Sequence, residues 1–365
     1  MLIAGKHEQR EHNNKMDSGD LIRPIVLLII GLLIYHLPIF IHKVRLTIQG
    51  ILYLLFCNDK TWKKTDDPLK HFSPLLSTAE GKTKIEKKTI IFIRHGESTW
   101  NETFNKGSHR TAAVFVIGFI PNLIKALLYE TYLLLTGQMD SWFYDSPLSP
   151  LGIDQIEKLN KFLTSENKGL NASEQEMVSI LKGDSDNSLI VSSSLRRALS
   201  TVAIAFQSRL EHYPKEKIVV IPSLQEISRN PDTLSITPPY EQVTPSWIDR
   251  NAPNSNFTDI FQNRTDMSQH AGNKPLNTNG YKRMSAFCSY VFSVPQTHII
   301  AGGHSIWFRS FFKTFLPLAI DHAAKKKKIV NGGCVAFTLL KATGEDGEDK
   351  FMIDPKSIVV VYGGF

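Results

Sequence analysis

The chain has 365 residues, 42% of them apolar, and 42 Lys and Arg against 35 Asp and Glu give a formal charge of +7. That suffices for one large domain with extensions and a sizeable core, while the dispersed basic excess suits an anionic surface or a phosphorylated substrate and gives no ground for expecting nucleic acid. The three cysteines, Cys57, Cys288 and Cys334, are odd in number and far apart, which excludes a disulfide framework or a CxxC metal pair and is compatible with a reducing, cytosolic setting.

Residues 1–20 are polar and mixed in charge, without apolar periodicity, and are expected to be disordered. Residues 21–57 read as membrane-attached. From Pro24 to Ile41 the text is PIVLLIIGLLIYHLPIFI, interrupted only by His36; as a helix it rises roughly 27 Å, close to the ~30 Å hydrocarbon core. A single-pass N-terminal transmembrane helix is favoured over a cleaved signal peptide, because the polar stretch before it is long and no small-x-small site follows. VRLTIQGILYLLFC, 44–57, is punctuated by Arg45, Gln49 and Gly50 and suits a helix lying in the membrane interface. The Lys-rich stretch 58–88 reads as a linker, and 89–365 as the catalytic domain. Lys43, Arg45, Lys60, Lys63 and Lys64 follow the anchor against Lys6, Arg10, Lys15 and Arg23 before it, a slight bias that places the catalytic domain on the cytosolic side. Cys57 is then a candidate for palmitoylation.

Beyond Thr89, strand-like runs (89–93, 188–192, 217–221, 297–302, 334–340, 357–362) alternate with amphipathic helix-like ones (151–164, 194–211, 279–292, 305–316). The alternation predicts an α/β domain, a three-layer α/β/α sandwich with a mostly parallel central sheet buried on both faces. An insertion, 105–143, carries the apolar stretch 111–135, broken at Pro121 into two short helices with Lys125 and Glu130 on a polar face; it reads either as a membrane contact or as a buried extra helix. The stretch between Glu226 and Asn279 is polar and proline-rich and is expected to cap the site as an irregular lid. Asn171-Ala-Ser is one of four glycosylation sequons, about what chance supplies.

In such sheets, active sites lie at the carboxyl ends of strands. Arg94 and His95 leave the end of the first strand. VSSSLRRALST places Ser192–Ser194 at a helix start, with Arg197 and Thr201 four apart on one face. Gly302-Gly303-His304-Ser305 ends a third strand. Basic residues from three strand ends thus converge on one rim. Arg196, beside Arg197, must face elsewhere and is expected to be a solvated or peripheral charge.

RHGESTWN, DSPLSPLG, SSSLRRALST, LQE and GGHS, in this order over roughly residues 89–362, resemble the histidine phosphatase superfamily, which includes the cofactor-dependent phosphoglycerate mutases. The resemblance implies that His95 is the nucleophile, that Arg94, Arg197 and His304 form a phosphate pocket, that Asn101 adds a contact to the phosphate, and that Glu226 donates the proton. It implies no metal and no organic cofactor. EISRNPD continues from Glu226 where the family often has glycine, so Arg229 and Asp232 stay open as sharing or replacing its role; DSPLSPLG reads as a structural turn and helix start. The physics agrees with these roles. Phosphoryl transfer needs positioning and charge stabilisation around three oxygens, guanidiniums provide planar permanent donors, and a histidine among cations can attack as neutral imidazole. The expected function is a membrane-tethered phosphatase acting through a phosphohistidine on a phosphate monoester of unknown class, with that substrate and the lipid bilayer as partners. A phosphoglycerate-type mutase is the alternative, although EISRNPDT lacks the basic stretch of such enzymes. A catalytically silent membrane scaffold is a third, against which retention of every core residue argues.

Overall fold

The computed structural model describes residues 18–62, 66–77, 85–107, 110–184, 187–251, 257–344 and 347–365. Of the segment expected to be disordered, 1–17 lies outside them, and so do 63–65 and 78–84 of the expected linker. Three helices, α1 (Ser18–Tyr35), α2 (Leu37–Phe56) and α3 (Pro68–Ser77), precede the first strand, β1 (Ile85–Arg94). Then come α4 (Thr99–Phe104), α5 (Ala112–Leu135), α6 (Pro150–Thr164), α7 (Ala172–Lys182), β2 (Ser188–Ser192), α8 (Arg196–Ala205), α9 (Gln207–His212) and β3 (Ile218–Val220). After the lid segment with α10 (Trp247–Asn251) and α11 (Phe257–Asn263) follow β4 (Thr265–Asp266), α12 (Gly280–Ser293), β5 (His298–Gly303), α13 (Ser305–Phe315), α14 (Ala323–Lys326), β6 (Cys334–Thr343), β7 (Asp349–Ile353) and β8 (Val359–Tyr362).

One sheet runs in the order β4-β3-β2-β5-β1-β6-β7, with β8 also paired to β6. The ladders from β4 to β1 are parallel, and those of β6 with β1, β7 and β8 are antiparallel. The sheet is therefore mixed, and the expected parallel character holds only for the half that carries the motifs. β7 begins a few residues after β6 ends, with Gly344 N donating to Glu348 O at 3.0 Å, and strands joined so closely can make only an antiparallel pair. Alternate residues of β1 face opposite layers. Ile91 and Ile93 pack with Ile156, Leu159, Val178 and Val202 of α6, α7 and α8. Ile90 and Phe92 pack with Met284, Phe287 and Phe311 of α12 and α13, and Phe92 stacks on Phe308 at 4.1 Å. Both faces are thus covered, giving three layers.

The N-terminal segments depart from expectation. The helix expected over 24–41 is divided at His36, and Pro38 falls in the first turn of α2, where its missing N–H costs nothing. The stretch read as interfacial is the second half of α2. The insertion forms one continuous 24-residue helix with Pro121 inside it, not two short ones, so one lost backbone bond did not end it. Among the described residues two helices, α2 and α5, are long and apolar enough to cross a membrane, where one span at 24–41 was expected. Lys125 pairs with Glu102 at 3.1 Å and Glu130 with Lys43 of α2 at 2.6 Å. Only Ala126 and Leu133 of α5 are buried, so it is no core helix.

The linker is not simply a linker at its start. Asp59 is fully buried: Oδ2 accepts from Lys274 Nζ at 2.6 Å and from Ser228 N at 2.9 Å, while Oδ1 accepts from Arg283 Nη2 at 2.5 Å. Just before it, Tyr53 donates its hydroxyl to Lys274 O, and Cys57 is buried beside Tyr53 and Leu234, hidden from any acylating surface. The palmitoylation expected there is contradicted by that burial. Removing one partner of a buried ion pair costs about 3–5 kcal/mol because the other charge stays desolvated. Asp59→Ala in the full chain should therefore lower the denaturation midpoint in detergent by that order, and an unchanged midpoint would show that Asp59 carries no such load.

Candidate active site

The three motif-bearing strands end level. Ser192 of β2 is in register with Gly302 of β5, and Gly303 with Arg94 of β1, so the residues that leave them share one rim. His95 N donates to Gly303 O at 3.0 Å. Its ring lies 5.0 Å from that of His304, centroid to centroid, in an edge-on arrangement. His95 Nδ1 contacts Gly96 O at 2.5 Å; a carbonyl can only accept, so Nδ1 carries the proton and Nε2 keeps its lone pair. His304 Nε2 is held by Ser193 Oγ at 2.8 Å.

Two motifs fit together by backbone contact. A Cβ on Gly96 would lie 2.4 Å from Gly152 O, and one on Gly152 would lie 2.0 Å from Glu97 O. Glycine is required on both sides because the RHG turn and the start of α6 meet with no room for a side chain. Ser149 N donates to Glu97 O at 2.8 Å and Thr99 N to Pro147 O at 3.0 Å. DSPLSPLG is thus the structural clamp expected of it, holding the turn that aims His95.

Arg94, His95, Asn101, Arg197 and Glu226 all line one cleft of about 670 Å³, and His304, fully buried, lies behind its wall. Arg94 Nη1 donates to Ile329 O at 2.6 Å, and its Nε has no partner among the described residues. Arg197 Nη1 donates to Asp232 O at 2.7 Å, and its Nη2 pairs with Asp232 Oδ2 at 3.2 Å. The Glu226 carboxylate sits at the start of α13, accepting from Trp307 N at 2.8 Å, Ile227 N at 2.9 Å and Ile306 N at 3.2 Å. Of the alternatives to Glu226, Asp232 lines the cleft and Arg229 does not. Asn101 is placed at the cleft by α4, whose N-cap Ser98 accepts from its backbone N–H.

Burial and crowding set the charges. Desolvation, then Arg197 and Arg94, hold His95 well below its ordinary value, and desolvation, Arg197 and His95 do the same to His304. Both are neutral imidazoles at neutral pH. Burial lowers Arg94 to about 10, which still leaves it charged. Asp232 is raised to about 6 by burial, with Arg197 opposing and Glu226 adding to the shift; its Oδ1 has no hydrogen-bond partner among the described residues.

Arg196 corrects the sequence reading. It is buried, and its Nη1 pairs with Asp140 Oδ1 at 2.7 Å while its backbone N donates to Asp145 Oδ1 at 2.8 Å. It faces away from the cleft as expected, but into the core, where two aspartates of the insertion and the clamp neutralise it. Among the wall residues that escaped notice in the sequence are Lys106, Lys327, Lys328 and Asn331; Asn331 Nδ2 donates to His95 O at 3.0 Å. The run of four lysines at 325–328 was the available signal.

No family model matches the chain, and no curated protein does. Among solved structures, a protein described as mycobacterial hydrolase 1 is 15% identical, with 74% of this chain and 97% of that one covered at a TM-score of 0.34. A mycobacterial glucosyl-3-phosphoglycerate phosphatase is 16% identical over 73% and 97%, also at 0.34. A phosphoserine phosphatase from Entamoeba histolytica is 15% identical over 76% and 96%, at 0.31. What the cleft can do follows from its own residues.

The two adjacent arginines should separate by phenotype. Arg196→Ala strands two buried aspartates and should cost about 3–5 kcal/mol of stability, whereas Arg197→Ala leaves only Asp232, which at about 6 can take up a proton, and should fold and lose about 10²-fold or more in turnover of phenyl phosphate. Thermal melts and rates on both variants would decide; equal instability would deny the division of labour.

Proposed function

We propose that the protein is a phosphatase of phosphate monoesters, tethered to a membrane, with His95 as the nucleophile. The observation that carries this reading is the setting of His95: a neutral imidazole with Nε2 free, fixed at the rim of the sheet between Arg94 and Arg197. Nε2 attacks phosphorus, and the P–O bond to the alcohol breaks. Arg94 and Arg197 stabilise the equatorial oxygens as that bond opens. The bound dianion draws a proton onto His304, which desolvation otherwise keeps neutral.

The leaving alkoxide takes a proton from a carboxyl group, and water assisted by the resulting carboxylate then cleaves the phosphohistidine, returning the proton and releasing phosphate. Glu226 and Asp232 both face the cleft. Asp232, at about 6, is suited to hold a proton near neutrality, and in doing so it also frees Arg197 for the phosphate. Beside Glu226 in sequence the wall continues as Ser228, Asn230, Asp232 and Thr233, none of them basic, and its lysines, Lys106, Lys327 and Lys328, come from other segments. Tethering is supported by the apolar outward faces of α2 and α5.

Rapid quenching with labelled substrate should trap acid-labile, alkali-stable phosphate on the wild type and none on His95→Ala; label on the variant would remove His95 from the mechanism. The pH profile of kcat/KM should fall as pH rises through about 6, where Asp232 ionises and competes for Arg197. In Asp232→Asn that limb should be absent, and its persistence would assign it to another group.

A further inference from the structure

A second cavity, of about 570 Å³, lies between α2 and α5 and is walled mainly by Phe40, Val44, Ile48, Phe104, Leu134 and Phe143. Its volume falls in the range of ligand pockets, ~300–1,000 Å³. The charges in its wall are already answered: Lys43 Nζ pairs with Glu130 at 2.6 Å and donates to Asp140 O at 2.8 Å, while the other Glu130 oxygen accepts from Ser141 Oγ and Trp142 N. A polar guest would find few partners there, and a hydrocarbon would lose none.

The position of this cavity gives it meaning. Trp100 lines both it and the catalytic cleft, and Pro231 lines it while its neighbours Asn230 and Asp232 line the cleft. One indole and one turn are thus shared between an apolar chamber and a phosphate-binding rim. Around that rim Lys106, Lys327 and Lys328 add positive charge. The helices that form the chamber turn bare apolar faces outward, with Ile117 78% and Leu128 67% exposed on α5 and Leu55 61% exposed on α2, and both are long enough to cross a bilayer.

We infer that the substrate is a lipid phosphate, a monoester whose hydrocarbon chain occupies the chamber between α2 and α5 while its phosphate lies against His95. The inference rests on the phosphatase reading and narrows it. The chain would leave the cleft past Trp100 and Pro231, and each methylene that enters the chamber would strengthen binding by a factor of about three to four at full burial.

The test uses the full chain in nanodiscs and a series of monoalkyl phosphates from methyl to octyl, kept below their aggregation limits, with phenyl phosphate as the chain-free control. Expected is a kcat/KM that climbs at least tenfold from methyl to octyl phosphate. The octyl-to-methyl ratio, which cancels any loss of folded protein, should collapse toward one in Leu134→Trp and in Val44→Trp, which fill the chamber. Turnover of phenyl and methyl phosphates with no gain along the series would overturn the lipid assignment and leave the phosphatase standing. A gain that survives both tryptophans would place the chain elsewhere and overturn the assignment of the chamber. No turnover of any ester would overturn both readings together.

Discussion

Like charges confined in a dry cleft are the constraint on which this structure turns. Arg197 is almost wholly buried and Arg94 partly so, both within reach of His95, with Asp232 paired to Arg197 and Glu226 and Glu97 near Arg94. Desolvation makes such crowding costly, and the fold answers with backbone carbonyls and one shared aspartate: Ile329 O for Arg94, Asp232 for Arg197. The arrangement is poor for stability and good for binding a dianion, which would relieve the repulsion that the protein alone leaves unrelieved. Burial, with Arg197 near both rings and Arg94 near His95, keeps the two histidines neutral.

Much of this was legible. β-Branched runs too short for helices became the expected strands, and residues immediately after them reached the rim because parallel strands that end in register deliver their next residues to one place. Arg94, His95, Asn101, Arg197 and Glu226 are gathered as expected, although their roles are a proposal. What failed to show was long-range compensation. Arg196 looked peripheral because its partners, Asp140 and Asp145, lie some fifty residues away in sequence. The strand β7 lacked an apolar run of its own, since it is an edge that borrows its burial from β6. α7 went unread although its signal was present: Asn171, noticed as a sequon, caps the helix and exchanges hydrogen bonds with Glu174. Pro121 was weighed as a helix breaker, yet one missing donor is a small loss for a helix of 24 residues.

The insertion and the N-terminal helices, which look like appendages in the sequence, share residues with the chemistry. Trp142 Nε1 donates to Thr103 of α4, and Lys43 of α2 holds Glu130 of α5. α4 in turn supplies Trp100 and Asn101 to the cleft. The outward apolar face of α5 and the cleft that holds His95 are thus separated by one or two packed neighbours.

Asp59 extends this to engineering. Lys274, which it neutralises, also donates to Glu226 O and Ser228 O, and Arg283 donates to Gln225 O. The backbone that presents Glu226 is therefore pinned by a carboxylate lying three residues after α2. A water-soluble fragment cut downstream of that residue would leave an ammonium and a guanidinium buried without their counter-ion, directly beneath the loop that carries Glu226. Such a fragment would lose activity through its core and not through its distance from lipid, so any useful boundary has to fall ahead of residue 59.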